Sequence, residues 1–204
     1  MAPLLMASNN PGKIQELQEL LRDLRVEIVT PHALGLQLSI QEVGNSYREN
    51  AALKAAEFHR LTGMLTMADD SGLEVEVLGG LPGVRSRRFL PQQGASDAER
   101  RNYLLARLQA LLRPWLARFQ CVLALATDRE QMYFTEGECR GEIIPVERGT
   151  NGFGYDPIFL FPELKRTMAE LTTEEKNRLS HRAQAAKKMI PILEGLITQQ
   201  FSVK

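Results

Sequence analysis

The stretch from Met67 to Gly83, MADDSGLEVEVLGGLPG, restricts the fold more than any other part of the chain. Leu65 to Ala68 reads as a short strand that delivers two adjacent carboxylates, Asp69 and Asp70, to a turn at Ser71 and Gly72. Neighbouring carboxylates repel and are costly to bury, so a fold that places them at a strand end supplies a cation, either a metal or Lys and Arg. The plain alternative is a polar turn that contains two acids, and the rest of the chain decides between them. Beyond the turn, Leu73 to Leu78 alternates as a half-exposed strand, broken by Gly79, Gly80, Pro82 and Gly83.

Upstream, the apolar run Leu4 to Ala7 ends in SNNPGK. Asn10 suits an N-cap and Pro11 the first helical position, while Ile14, Leu17, Leu21 and Leu24 share one face. A strand feeding a helix this way points backbone N–H groups outward beside Lys13, a ready phosphate site. An ordinary capped turn with a surface lysine is the alternative. Val26 to Val29 reads as the next strand and Pro31 to Leu38 as a loop or irregular strand. After the polar segment Gln41 to Asn45, a helix is expected from about Ser46 to Leu61. On it Asn50 and Lys54 share a face, with alanines allowing close packing, so Lys54 either enters a cleft or pairs on the surface with Glu57.

Arg85, Arg87 and Arg88 form either an anion or partner patch or a solvated loop. Ser96 with Glu99 makes a capping box, and the apolar stripe Tyr103 to Leu112 belongs to a helix stopped by Pro114. Phe119 to Ala126 and Gln131 to Thr135 read as a hairpin across a polar turn. The loop Gly149 to Pro157, GTNGFGYDP, lets backbone approach a ligand, with Phe153 and Tyr155 offering flat faces and Asp156 an acceptor. Its aromatics could equally belong to the core. Thr172 with Glu175 is a second capping box, with Lys176 behind it. The apolar series from Leu179 to Ile197 predicts a C-terminal helix that Pro191 must kink or restart, with Ser180, His181 and Arg182 near its beginning.

At 204 residues, with no linker or repeat, the chain is expected to form a single domain, 1–204, with a substantial core. Its 25 basic residues balance 25 acidic ones, which argues against a general nucleic-acid or membrane-surface binder. Cys121 and Cys139 lack metal-ligand spacing and are expected as buried thiols. Neither a signal-like N-terminus nor a long apolar run is seen, so a cytoplasmic location is expected.

Taken together, SNNPGK, ENAALKA, MADDSGLEVEVLGGLPGV, GTNGFGYDPIF and ELTTEEKNRLSHRAQA resemble the inosine triphosphate pyrophosphatase family in order and spacing, over nearly the whole chain. That family hydrolyses non-standard purine nucleoside triphosphates such as ITP, dITP and XTP to the monophosphate and pyrophosphate. The resemblance implies an elongated α/β fold, a mixed central sheet with flanking helices and two lobes around a nucleotide-binding cleft, usually as a homodimer. Carried over, Ser8, Asn9, Asn10, Pro11, Gly12 and Lys13 hold the phosphates, and Lys54 and Lys176 add positive charge. Asp70 is the general base, with Asp69 beside it in the metal site and Ser71 on the substrate. Phe153, Gly154, Tyr155 and Asp156 with His181 and Arg182 surround the purine. Glu42 and Asp70 are the implied ligands of Mg2+, an ion that favours oxygen donors. The chain departs from the family in having Gln41 where a second acid is usual, and Arg85 where an aromatic is usual. A non-catalytic nucleotide sensor built on the same loops is the alternative function.

Overall fold

The computed structural model describes residues 2–36, 40, 43–127 and 131–202. Seven strands form one mixed sheet in the order β2-β1-β3-β4-β5-β6-β7: β1 (Ala2–Met6), β2 (Val26–Val29), β3 (Thr66–Val75), β4 (Trp115–Ala126), β5 (Met132–Ile143), β6 (Phe159–Phe161) and β7 (Arg166–Thr167). β1 runs parallel to both β2 and β3, whereas β6 is antiparallel to β5 and to β7. The helices are α1 (Pro11–Leu20), α2 (Tyr47–Thr62), α3 (Asp97–Leu108), α4 (Thr173–Leu179) and α5 (His181–Ser202).

The chain divides into two compact units, Met1–Asp70 with Cys121–Gly137 and His181–Lys204, and Ser71–Gln120 with Glu138–Ser180. Each has its own apolar core. In the first, Leu4 and Met6 of β1, Leu17 of α1, Met67 of β3, Leu123 of β4 and Met189 and Leu193 of α5 pack together. In the second, Leu73 and Val75 of β3, Leu104 and Leu108 of α3, Trp115, Phe159 and Met168 do so.

Local chemistry places the helix starts where the sequence puts them. The Asn10 side chain accepts from the Lys13 N–H, Ser46 caps α2 through Glu49, and the boxes at Ser96–Glu99 and Thr172–Glu175 are both closed. β2 matches its expected limits, and α2 ends one residue beyond Leu61 at a left-handed Gly63. Other expectations differ, and α3 ends at Leu108, short of the expected Leu112. Ser71 and Gly72 do not turn the chain, because the ten-residue β3 runs straight through them to Val75, and the 3-10 turn comes at Glu76–Leu78. The strands β4 and β5 are each 12 residues long, well beyond the apolar runs that announced them. The C-terminal apolar series is divided by an extended Ser180, which ends α4 before α5 begins, and α5 then passes through Pro191 without restarting. No helix among the described residues is long and apolar enough to cross a membrane.

Candidate functional site

In an extended strand successive side chains point to opposite faces. Because Asp69 and Asp70 lie inside β3 and not in a turn, their carboxylates separate and each acquires its own cations. Asp70 meets α2. Lys54 Nζ lies 3.0 Å from its Oδ1, and Asn50 Nδ2 donates to its Oδ2 at 3.2 Å. Lys54 also donates to the Asp69 carbonyl at 2.6 Å, so one ammonium holds both the strand and the acid. Asn50 is fully buried and its Oδ1 accepts from the Gly44 N–H at 2.9 Å, which fixes the amide orientation toward Asp70. Sharing a face one turn apart, Asn50 and Lys54 do what the sequence expected, with Asp70 as the lysine's partner; Glu57 pairs with Arg60.

Asp69 meets α1 and α5. Lys13 pairs with its Oδ1, and Arg182 Nε donates to its Oδ2 at 2.9 Å, while the Arg182 Nη1 goes to Glu16 of α1. The Cys121 thiol donates to the same Asp69 oxygen at 3.1 Å. Burial alone would raise the Asp69 pKa, but the Arg182 and Lys13 charges overcome it and hold the carboxyl well below the usual range. Burial and the Asp69 charge push the Cys121 thiol well up, which keeps it a donor, and its two acid partners raise the Arg182 guanidinium despite burial. The approach of α5 depends on Gly137 of β5, where a Cβ would collide with the His181 carbonyl and lie 2.6 Å from the Ala185 N. Thr135 adds a hydrogen bond of 2.9 Å to the Ala185 carbonyl.

The second unit holds the glycine-rich loop. Gly149, Gly152 and Gly154 have φ of 80°, 76° and 62°, left-handed values that a side chain strains to adopt. At Gly152 a Cβ would run into the Asp156 carboxylate. That carboxylate accepts from the Phe153 N–H at 2.9 Å and from Lys176 Nζ at 2.6 Å, and the Lys176 ammonium sits 5.1 Å from the centre of the Phe153 ring. Tyr155 is buried and donates to the Ser86 carbonyl at 2.8 Å; burial raises its pKa. It is therefore an anchor of the loop in the core, as the plainer of the two readings of its aromatic ring has it.

The first unit thus gathers Lys13, Asn50, Lys54, Asp69, Asp70 and Arg182, while Phe153, Asp156 and Lys176 come together in the second. Ser8, Asn9 and Asn10 precede α1, with the Ser8 hydroxyl accepting from the Asn10 N–H at 3.2 Å. Pro11 and Gly12 open the helix, and Ser71 follows Asp70 on β3. His181 is buried at the first position of α5. Arg182 was expected beside a purine, but two of its donors are engaged by Asp69 and Glu16. Glu42 lies outside the described residues. Among the described residues no group of three or more His, Cys, Asp or Glu could hold a metal. Sequence reasoning missed Glu16, Cys121 and Gly137; Glu16 is one helical turn from Lys13, whereas nothing in the sequence marks the other two.

The model of the Ham1 family matches residues 4–192. The chain belongs to the Ham1 family. It is 41% identical over 198 residues to a Desulforamulus reducens protein named dITP/XTP pyrophosphatase, covering 97% of this chain and 98% of that one. A Gloeobacter violaceus protein of the same name is 44% identical over 189 residues, covering 92% of each. Among solved structures, a HAM1 protein from Coxiella burnetii superposes with a TM-score of 0.86 at 40% identity, covering 96% of this chain and all of that one. A nucleoside-triphosphatase / dITP/XTP pyrophosphatase from Mycobacterium abscessus gives 0.74 at 39%, covering 93% and 99%.

Proposed function

We propose that this Ham1 protein hydrolyses non-standard purine nucleoside triphosphates, ITP, dITP and XTP, to the nucleoside monophosphate and pyrophosphate, removing them from the nucleotide pool. The observation that carries this reading is the Asp70 carboxylate, held on β3 by Lys54 and Asn50, with the Asn10-capped start of α1 and its Lys13 in the same unit, in a chain whose relatives are named for that reaction. A triphosphate brings about four negative charges, so water attacking phosphorus needs cations to screen them and a carboxylate to take its proton. Asp70 is the proton acceptor. Lys54 and Lys13, with the loop Ser8 to Gly12 at the start of α1, bind the phosphates. The bond that breaks joins the α-phosphorus to the bridging oxygen, and pyrophosphate leaves. Ser71 orients the substrate, Phe153 and Gly154 with Asp156 and His181 contact the purine, and Lys176 with Asp156 fixes the Phe153 ring for stacking. Asp69, locked by Lys13 and Arg182, acts through the geometry of β3, which makes Arg182 a positioning residue first.

The oxygen donors suit Mg2+, which binds through one or two carboxylates together with waters and substrate phosphates. Asp70 and Glu42 would hold it, and it would supply charge screening to the phosphates. The two units work as one catalytic domain, in a cytoplasmic homodimer. A mass in solution equal to one chain would contradict the dimer.

A screen of nucleoside triphosphates with Mg2+ tests the activity. ITP, dITP and XTP are expected to be turned over well ahead of ATP and GTP, with pyrophosphate as co-product. A screen in which no triphosphate yields pyrophosphate would overturn it.

A further inference from the structure

The first turn of α3 belongs to no motif assigned to the reaction, yet it reaches directly into the glycine-rich loop. Asp97 Oδ2 accepts from the Gly154 N–H at 2.8 Å, and Arg101 Nη1 donates to the Gly154 carbonyl at 2.8 Å. Asp97 and Arg101 are four apart on one helix face, so the helix grips Gly154 from both its donor and its acceptor. The grip is itself supported. Arg101 is fixed by a two-pronged pair to Glu147, with both nitrogens at 2.8 Å, and Asp97 pairs through its other oxygen with Arg100. The Ser96–Glu99 box anchors the start of the same helix.

The rest of the loop is equally committed. The Phe153 N–H goes to Asp156 and the Phe153 carbonyl accepts from the Asp156 N–H at 3.2 Å, so both peptide groups of Phe153 and Gly154 are consumed inside the protein. What remains open is the Gly154 Cα face, where no atom lies within 4 Å of the place a Cβ would occupy. Backbone hydrogen bonds of these two residues are therefore not what they offer a ligand; the half-buried Phe153 ring and the open Gly154 Cα edge are.

We infer that Asp97 and Arg101 are positioning residues that set purine selectivity by clamping the Gly154 peptide and so fixing the Phe153 ring. The inference rests on the reading above that this loop meets the purine. A loop held from both sides cannot drift to accommodate a base of different outline, so a loosened loop discriminates less. ITP and GTP differ only at the purine C2 position, so the ratio of the two reads how sharply the loop edge discriminates.

The test uses the full-length enzyme as Asp97→Asn and, separately, Arg101→Lys, which keeps the helix charge but loses the two-pronged geometry. For each, kcat and KM for ITP and GTP and amide hydrogen exchange across residues 149–157 are measured. The expected result is about tenfold faster exchange in the loop, a KM for ITP raised about fivefold or more, kcat held within about threefold, and a narrowed ratio of ITP to GTP kcat/KM. Faster exchange with an unchanged ratio would overturn the inference while leaving the pyrophosphohydrolase reading in place. Unchanged exchange in both variants would overturn the clamp itself. A parent enzyme inactive on every triphosphate would instead remove the reading on which the inference rests. If Asp97→Asn fails to fold, Arg101→Lys alone carries the same three measurements.

Discussion

At the scale of single residues, the chemistry turns on two neighbouring acids with separate surroundings. Asp70→Asn keeps the shape but removes the charge that pairs with Lys54, so turnover is expected to fall about 10²-fold or more. Steady-state kinetics at saturating Mg2+ checks this, and a loss of only a few-fold would reject the role. Arg182→Ala has the opposite profile. Asp69 is buried and would lose one of the cations that hold it ionised, and removing one member of such a pair costs about 3–5 kcal/mol. Urea unfolding is expected to show that loss, and a variant as stable as the parent would contradict the counterion role. Asp69, Asp70, Lys13 and Lys54 were legible as candidates because they sit in the motifs that carry the family resemblance. Arg182 was legible as a site residue, but its partners were not, since β3 and α5 are more than a hundred positions apart.

At the scale of elements, the helix caps were readable because an N-cap satisfies its donors within four residues, and every expected cap formed. Strand limits were not. β3 runs through Asp-Asp-Ser-Gly against local propensity because its neighbours supply the cations and ladder bonds that a solitary DDSG lacks. The same tertiary dependence makes Gly137 essential to α5. Gly137→Ala would press a methyl group into the helix backbone at His181 and Ala185, and overpacking of this kind costs about 1–3 kcal/mol. A lowered Tm together with a raised KM is expected, because His181 and Arg182 are the residues displaced. An unchanged Tm would show that α5 is held by its apolar face alone.

At the scale of the whole molecule, the depressed carboxyls determine the response to acid. Asp69 titrates below its unfolded value of about 3.9, so its contribution is fully present above that pH and is lost as pH falls through the folded value. Glu175, lowered to about 2 by Arg166 and the Thr172 cap, and Asp97 act in the same direction, more weakly because they are more exposed. Metal-free protein is therefore expected to hold a steady urea midpoint from neutral pH to about pH 5 and to lose stability below about pH 4. An Asp69→Asn variant should show a shallower decline, and equal slopes would contradict the assignment. The α/β class and the family were legible from motif order over nearly the full chain. Two lobes were implied by the resemblance, but which segments make up each unit was not legible, because each unit is assembled from segments distant in sequence.

The central claim concerns which phosphate bond is cut. Chromatographic separation of a single ITP time course with Mg2+ measures it directly. IMP and pyrophosphate should appear one for one from the earliest time point, without IDP. IDP with orthophosphate as the first products would contradict the account.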